Sequence, residues 1–183
     1  MKMLAVGLIT FALVIGCRGT RPLSLVRESN TGNAFLTTGF YFGQFEKDAS
    51  SYTQVLVFYR DGALLMLESD RRNSVIAWKD YFTDERYRNS HKAAPYWWGI
   101  YAMNAESFRI EKWTSADYAY PVMQLDGKAL NDTTLLLKRR LAKRKAGGKF
   151  SYSSKTREPT ERFDTLRFVR LETKPDSSNK WIR

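Results

Sequence analysis

The chain of 183 residues holds a single cysteine, Cys17, and a single histidine, His91. One thiol excludes an internal disulfide, and the pair falls far short of the ligand set of a zinc site. Hydrolysis of the Ser-His-Asp kind would hang on His91 alone. That residue sits in a charged stretch, RNSHKAAP, and reads as an exposed polar side chain. Carboxylate pairs such as Asp84-Glu85 and Glu158/Glu161 fall in polar segments, where solvation is the default. No phosphate-cradling glycine loop is present, since Gly147-Gly148 follows a basic run and precedes no helical pattern. No internal repeat of about 20–50 residues appears either. These absences leave catalysis without support: the expectation is a protein that is not an enzyme and carries no metal or cofactor.

Long apolar runs are equally scarce. The one that exists, Leu4 to Gly16, is broken only by Thr10 and follows Lys2. At about 1.5 Å per residue it reaches about 20 Å, short of the hydrocarbon slab of about 30 Å. A positive start, a short apolar stretch and a small residue at its end match a secretory signal peptide. The run closes as Val14-Ile15-Gly16-Cys17, which resembles the lipobox of bacterial lipoproteins. That resemblance implies cleavage after Gly16 and a diacylglyceryl group on the Cys17 sulfur, often with a further acyl chain on its amine. Two or three chains make a stable anchor where one is marginal. Position 18 is arginine rather than aspartate, which in lipoproteins of enteric bacteria implies passage to the outer membrane. The expected organisation is a signal peptide over 1–16, a lipidated cysteine with a flexible polar tether over 17–38, and one domain over 39–183.

The formal net charge is +11, yet acid is missing from one place in particular. The stretch KRRLAKRKAGGK (138–149) has seven basic residues and no acidic one, and without it and Lys2 the remainder carries only about +3. The basicity is therefore one local patch. An exported protein has little access to nucleic acid, so no nucleic-acid partner is expected. Lys138, Arg139, Arg140, Lys143, Arg144 and Lys145 read either as a solvated loop or as a surface for an anionic envelope component such as lipid phosphate.

From Gly39 onward the apolar period becomes two. In TQVLVFYRDGALLMLES (53–69), Val55, Val57 and Tyr59 take one face while Leu56 and Phe58 take the other. Asp61-Gly62 then signals a hairpin with a tight primed turn. A second hairpin spans WWGIYAMNAESFRIEKW (97–113), turning at Asn104-Ala105-Glu106, with Gly99 marking a bulge or bend. Further strands are expected at 39–46, 120–130, 133–140 and 164–172, with a short run near 149–153. Asp126-Gly127 and Asn131-Asp132 mark further turns or bulges. The stretch 75–92 lacks alternation and reads as a short helix near 77–92 or a structured loop. About eight antiparallel strands in one domain predict an all-β, up-and-down barrel with packed side chains or one small ligand inside.

Aromatics are abundant: 5 Trp, 10 Tyr and 11 Phe. Strand alternation groups Trp98, Ile100, Phe108 and Ile110 as core, and assigns Trp97, Tyr101, Trp113 and Tyr59 as contacts for a small apolar ligand at a barrel mouth. Core packing is the plainer use of the same rings.

The lipobox, GFYFG (39–43), the FYRDG hairpin, WWGIYAM and the terminal KPDSSNKWIR together resemble the lipocalin-like lipoproteins common in Bacteroidetes. The resemblance implies a lipid-anchored antiparallel barrel and carries no catalytic residue with it. Lipocalins have Gly-x-Trp on the first strand, where this chain has Phe and Tyr. Two functions follow as expectations: a membrane-anchored barrel of the cell envelope that holds a small apolar ligand, or an envelope interaction protein with a packed interior.

Overall fold

In the computed structural model, the residues described are 23–29, 34–47, 50–69, 73–88, 90–115, 122–139, 143–144, 150–151 and 162–182. The β-branched and aromatic alternation past Gly39 produces strands β1 (Gly39–Lys47), β2 (Ser50–Phe58) and β3 (Ala63–Ser69). Two helices follow, α1 (Val75–Thr83) and α2 (Glu85–Arg88), and then β4 (Trp98–Asn104), β5 (Ser107–Trp113), β6 (Val122–Asn131) and β7 (Thr134–Arg139). A two-stranded excursion, β8 (Lys143–Arg144) with β9 (Phe150–Ser151), precedes the last strand, β10 (Arg162–Arg170). Each barrel strand pairs antiparallel with its sequence neighbour, β7 pairs with β10, and β10 pairs with β1. The result is a closed, eight-stranded, up-and-down β-barrel with helix α1 on its outside. Closure matters physically, because a closed sheet has no free edge to recruit another chain.

Two apolar cores lie on opposite sides of the barrel wall. Inside are Tyr41, Phe45, Leu56, Phe58, Leu64, Met66, Tyr101, Phe108, Ile110, Leu135, Leu137 and Leu166. Outside, over β2, β3 and β4, are Phe40, Val55, Val57, Tyr59, Leu65, Leu67, Trp98 and Ile100, covered by Trp78 and Phe82 of α1 and by Leu171 and Ile182 of the C-terminal tail. This explains why VLVFY and ALLML are apolar at every position: a strand buried on both faces needs no polar side. Strand β10 has one dry face and alternates instead, with Asp164 and Leu166 buried and Thr165 and Arg167 exposed. Helix α1 starts where the Ser74 hydroxyl accepts from the Ala77 N–H at 3.1 Å. Its buried residues Trp78 and Phe82 stand four apart, on one face.

Residues 23–29, which fall within the expected tether 17–38, and the tail 171–182 are both tied to the barrel. Ser24 donates to Glu111 through its backbone N–H and its hydroxyl, and the Leu25 N–H donates to the same carboxylate at 2.9 Å. Burial pushes the Glu111 pKa up, and donors from Ser24, Leu25 and Gln124 more than offset this and hold it below the usual carboxylate value. Three residues on, Arg27 pairs with Asp61 in the β2–β3 turn, and Ser177 of the C-terminal tail donates to the same carboxylate at 2.6 Å. Residues 23–29 thus form a strap up the outer wall, from the end of β5 to the β2–β3 turn. Phe35 then enters the barrel. Its ring lies 4.6 Å from Phe58, 5.7 Å from Tyr101, 6.1 Å from Tyr41 and 6.3 Å from Phe108. The Leu36 N–H donates to the Asp132 carbonyl at 3.1 Å and to the Tyr41 hydroxyl at 2.9 Å, which pins this segment across the barrel end. A polar stretch without period gave no warning of these contacts.

Three turn expectations also change. The β2–β3 connection is the three-residue loop Arg60-Asp61-Gly62, in which the Gly62 N–H donates to the Tyr59 carbonyl at 3.1 Å. Only Gly62 has positive φ there, at 83°, so the turn is not of the primed two-residue form. Asp126-Gly127 lies inside β6 rather than at a turn. Gly127 is glycine because a Cβ there would stand 2.1 Å from the Phe108 ring. Gly99 pairs in regular register with Lys112 and makes no bulge.

Candidate functional site

Strand alternation places the four predicted ligand contacts on two sides of the wall. Tyr101 points inward, its ring 4.9 Å from Phe58, and its hydroxyl donates to the Tyr59 carbonyl at 2.7 Å. Tyr59 points outward, with its ring 6.1 Å from Trp98 and the Lys174 ammonium 4.0 Å above it. Its hydroxyl is buried without a hydrogen-bond partner, and burial pushes its pKa up, with Asp176 and Asp61 adding to the rise. Trp113 also joins the outer core. Trp97 would share the Tyr101 face if the strand continued, but Pro95–Trp97 forms a 3-10 turn that breaks the alternation and leaves the ring outside. The predicted core grouping divides in the same way: Trp98 and Ile100 are outside, Phe108 and Ile110 inside.

What Trp97 does line is a cleft in the outer wall. Strands β3 and β4 pair over three registers only, Ala63 with Ile100, Leu64 with Gly99 and Leu65 with Trp98. Past Leu65 the two part, and α1 lies across the seam. The cleft that results has a volume of about 310 Å³ and is lined by Leu67, Glu68, Ala77, Trp78, Tyr81 and Trp97, with Ser69 and Asn73 at its edge. Trp78 and Tyr81 meet edge to face at 5.5 Å, and the Trp78 indole N–H reaches the Thr53 hydroxyl at 3.4 Å. The Glu68 carboxylate accepts from the Gln54 side chain at 2.8 Å. Aromatic faces with one carboxylate and an amide suit a small, flat or apolar ligand oriented by a few polar groups.

Behind Glu68, the barrel interior turns polar toward this end. Gln54, Lys112 and Asp164 are all buried, at 1%, 6% and 2% exposure. Lys112 shares its strand face with Phe108 and Ile110, and burial lowers its pKa against the opposing charge of Glu68. In RIEKW (109–113) both Glu111 and Lys112 are buried, one outside and one inside, which pattern reading would not assign to two adjacent charges. The opposite end of the barrel carries a cationic cleft of about 470 Å³, lined by Arg60, Arg170, Lys174, Glu172, Thr37 and Thr38. Lys174 donates to the carbonyls of Thr37 and Phe58, and burial lowers its pKa to about 8.

His91 overturns its reading as an exposed residue. It is 1% exposed, its ring stands 5.8 Å from Trp98, and its carbonyl accepts the Trp98 indole N–H at 3.0 Å. Its charged sequence neighbours gave no sign of this burial, because the turn Ser90–Ala93 folds it against the outer core. Of the basic patch, Lys138 and Arg139 end β7, while Lys143 and Arg144 form β8. Arg140 and Lys145 lie outside the described residues, as does Cys17. Among the described residues no group of three or more His, Cys, Asp or Glu could hold a metal ion. Among the same residues no helix is long and apolar enough to cross a membrane.

Set against family models, curated proteins and solved structures, the chain matches none of them.

Proposed function

We propose that this chain is a lipid-anchored protein of the bacterial cell envelope, held in the outer membrane through Cys17, whose barrel is a packed, non-enzymatic scaffold that binds at its outer surface. The lipobox-like Val14-Ile15-Gly16-Cys17 supports the anchor. The observation that carries the scaffold reading is Phe35, whose ring fills one end of the barrel against four aromatic neighbours. An apolar guest at that end would have to displace it. A second reading keeps the small apolar ligand and moves it to the cleft in the outer wall, where Trp78, Tyr81 and Trp97 line one opening.

Intact-mass analysis of the protein from native membranes tests the anchor. The expected mass begins at Cys17 and includes two or three acyl chains, whereas a retained Met1 without acyl mass refutes it. Titrating the acylated protein with a fatty acid while following tryptophan emission separates the two binding readings. Quenching that Trp97→Ala abolishes supports the cleft, and no change at saturation supports the scaffold without a small ligand.

A further inference from the structure

We propose that the cleft formed by Arg60, Arg170 and Lys174, at the barrel end that Phe35 fills, binds a small phosphomonoester in its doubly charged form. The site is separate from the lipid anchor and from the aromatic cleft on the wall, so neither reading above depends on it.

Three stretches of chain meet at this cleft. Thr37 and Thr38 precede β1, Arg60 follows β2 in its turn, and Arg170 is the last residue of β10. Hydrogen bonds fix these stretches against one another. The Leu171 N–H donates to the Thr38 carbonyl at 3.3 Å, and the Lys174 ammonium bridges the carbonyls of Thr37 and Phe58. The Tyr59 ring lies 4.0 Å from the same nitrogen. Lys174 is therefore placed before any ligand arrives, and an ammonium has three N–H donors, of which two are used. The volume, about 470 Å³, lies within the range of small-molecule pockets, about 300–1,000 Å³. A bare inorganic ion would leave most of that space to water, whereas a phosphate carrying an organic group would occupy it.

Charge decides the class of ligand. The cleft gathers three cations and one carboxylate, Glu172, a formal excess of two positive charges. Cations elsewhere on the surface are matched: Arg27 with Asp61, Lys92 with Asp176, Arg109 with Asp126 and Lys128 with Glu106. Among the described residues, Arg60 and Arg170 have no such carboxylate partner. Asp61 does act on Lys174, but it is already held by Arg27 and Ser177. Burial lowers the Lys174 pKa to about 8, with Asp61 opposing and Arg60 adding to the fall. Uncompensated charge of one sign in a cleft concentrates the opposite sign there. Guanidinium forks match the oxygens of a phosphate, and the Thr37 and Thr38 hydroxyls add neutral donors. A phosphomonoester with two charges cancels the excess, while a carboxylate or a phosphodiester, with one, cancels half.

The test is isothermal titration calorimetry of the full-length protein in non-ionic detergent. Two probes carry the same phosphomonoester: glycerol 3-phosphate, which is soluble, and dihexanoyl phosphatidic acid, which is a lipid. Glycerol and dihexanoyl phosphatidylcholine are their controls without two charges. At least one phosphomonoester is expected to bind saturably, tighter than about 1 mM, and its control at least tenfold more weakly. Binding of glycerol 3-phosphate assigns a soluble ligand, and binding of the phosphatidic acid alone assigns a lipid-borne one; either supports the site. Arg60→Gln and Arg170→Gln, both at exposed side chains, should each weaken binding about tenfold or more. Lys174 is left in place because it holds Thr37 and Phe58 together. The double variant Lys79→Gln/Lys128→Gln removes two exposed charges away from the cleft and should leave the affinity unchanged. Amide shifts at Thr37, Thr38 and Leu171 of the parent, followed by NMR during the same titration, locate the ligand without any substitution. No saturable binding of either phosphomonoester overturns the proposal. So does equal binding of the controls, an affinity indifferent to Arg60 and Arg170, or a titration that leaves those three amides unmoved.

Discussion

Replacing Phe35 with alanine tests whether the barrel is plugged by its own N-terminal segment. Phe35 is 4% exposed. A buried phenylalanine removes about 200 Å² from water, which at about 25 cal/mol per Å² is about 5 kcal/mol. The retained Cβ and partial collapse of the surrounding rings bring the expected loss to about 3–5 kcal/mol. For a domain of this size, each kcal/mol shifts the midpoint by about 2–4 °C, so a fall of about 6–20 °C is expected. Urea denaturation followed by far-UV circular dichroism measures the free energy, and thermal melts measure the shift. The same variant should open space between Phe58, Tyr101, Tyr41 and Phe108, and an apolar fluorophore should then bind where the parent takes up none. A loss below about 1 kcal/mol with no new binding would show that the ring does not sit in the core, and the scaffold argument would fall with it.

The strap gives a pH-dependent prediction. The folded Glu111 carboxyl titrates below its ordinary value, so its contribution is present above about pH 4.3 and is lost as pH falls through the lower folded value. Amide protection at Ser24 and Leu25 should therefore fail in acid before the barrel unfolds, and Glu111→Gln should weaken it at neutral pH by about 1–3 kcal/mol. Acid-resistant protection in the parent would refute that. Gly62→Ala should destabilise by about 2 kcal/mol or more, because φ is 83° and the new Cβ would stand 2.5 Å from the Glu28 carbonyl oxygen. A denaturation midpoint unchanged by that substitution would show that the strap does not pass over this turn.

Most of the barrel was legible from local pattern. The alternation in 53–69 and 97–113, the glycine after Asp61 and the break in period at 75–92 mark strands, a turn and a helix through interactions between near neighbours. The predicted site was less legible. Trp97 and Tyr101 share parity in the sequence, and one 3-10 turn at Pro95 separates them across the wall. Lys112 and Glu111 are adjacent charges that a two-period reading assigns one to water, yet both are buried, Glu111 because the strap covers the outer side and Lys112 because it faces the barrel interior. His91 is hidden by a different contact, the packing of its 3-10 turn against Trp98.

By itself the amino-acid sequence determined the strand order, the hairpin positions, the location of the basic run and the lipobox-like segment, because each is written in residues a few positions apart. Tertiary structure alone decided which strand faces are inside, that the sheet closes between β1 and β10, and that Phe35 and the strap complete the two cores. Those outcomes depend on contacts such as Ser24 with Glu111, 87 residues apart. Apolar burial is non-directional, so pattern can say that a face is buried without saying which part of the chain comes to cover it.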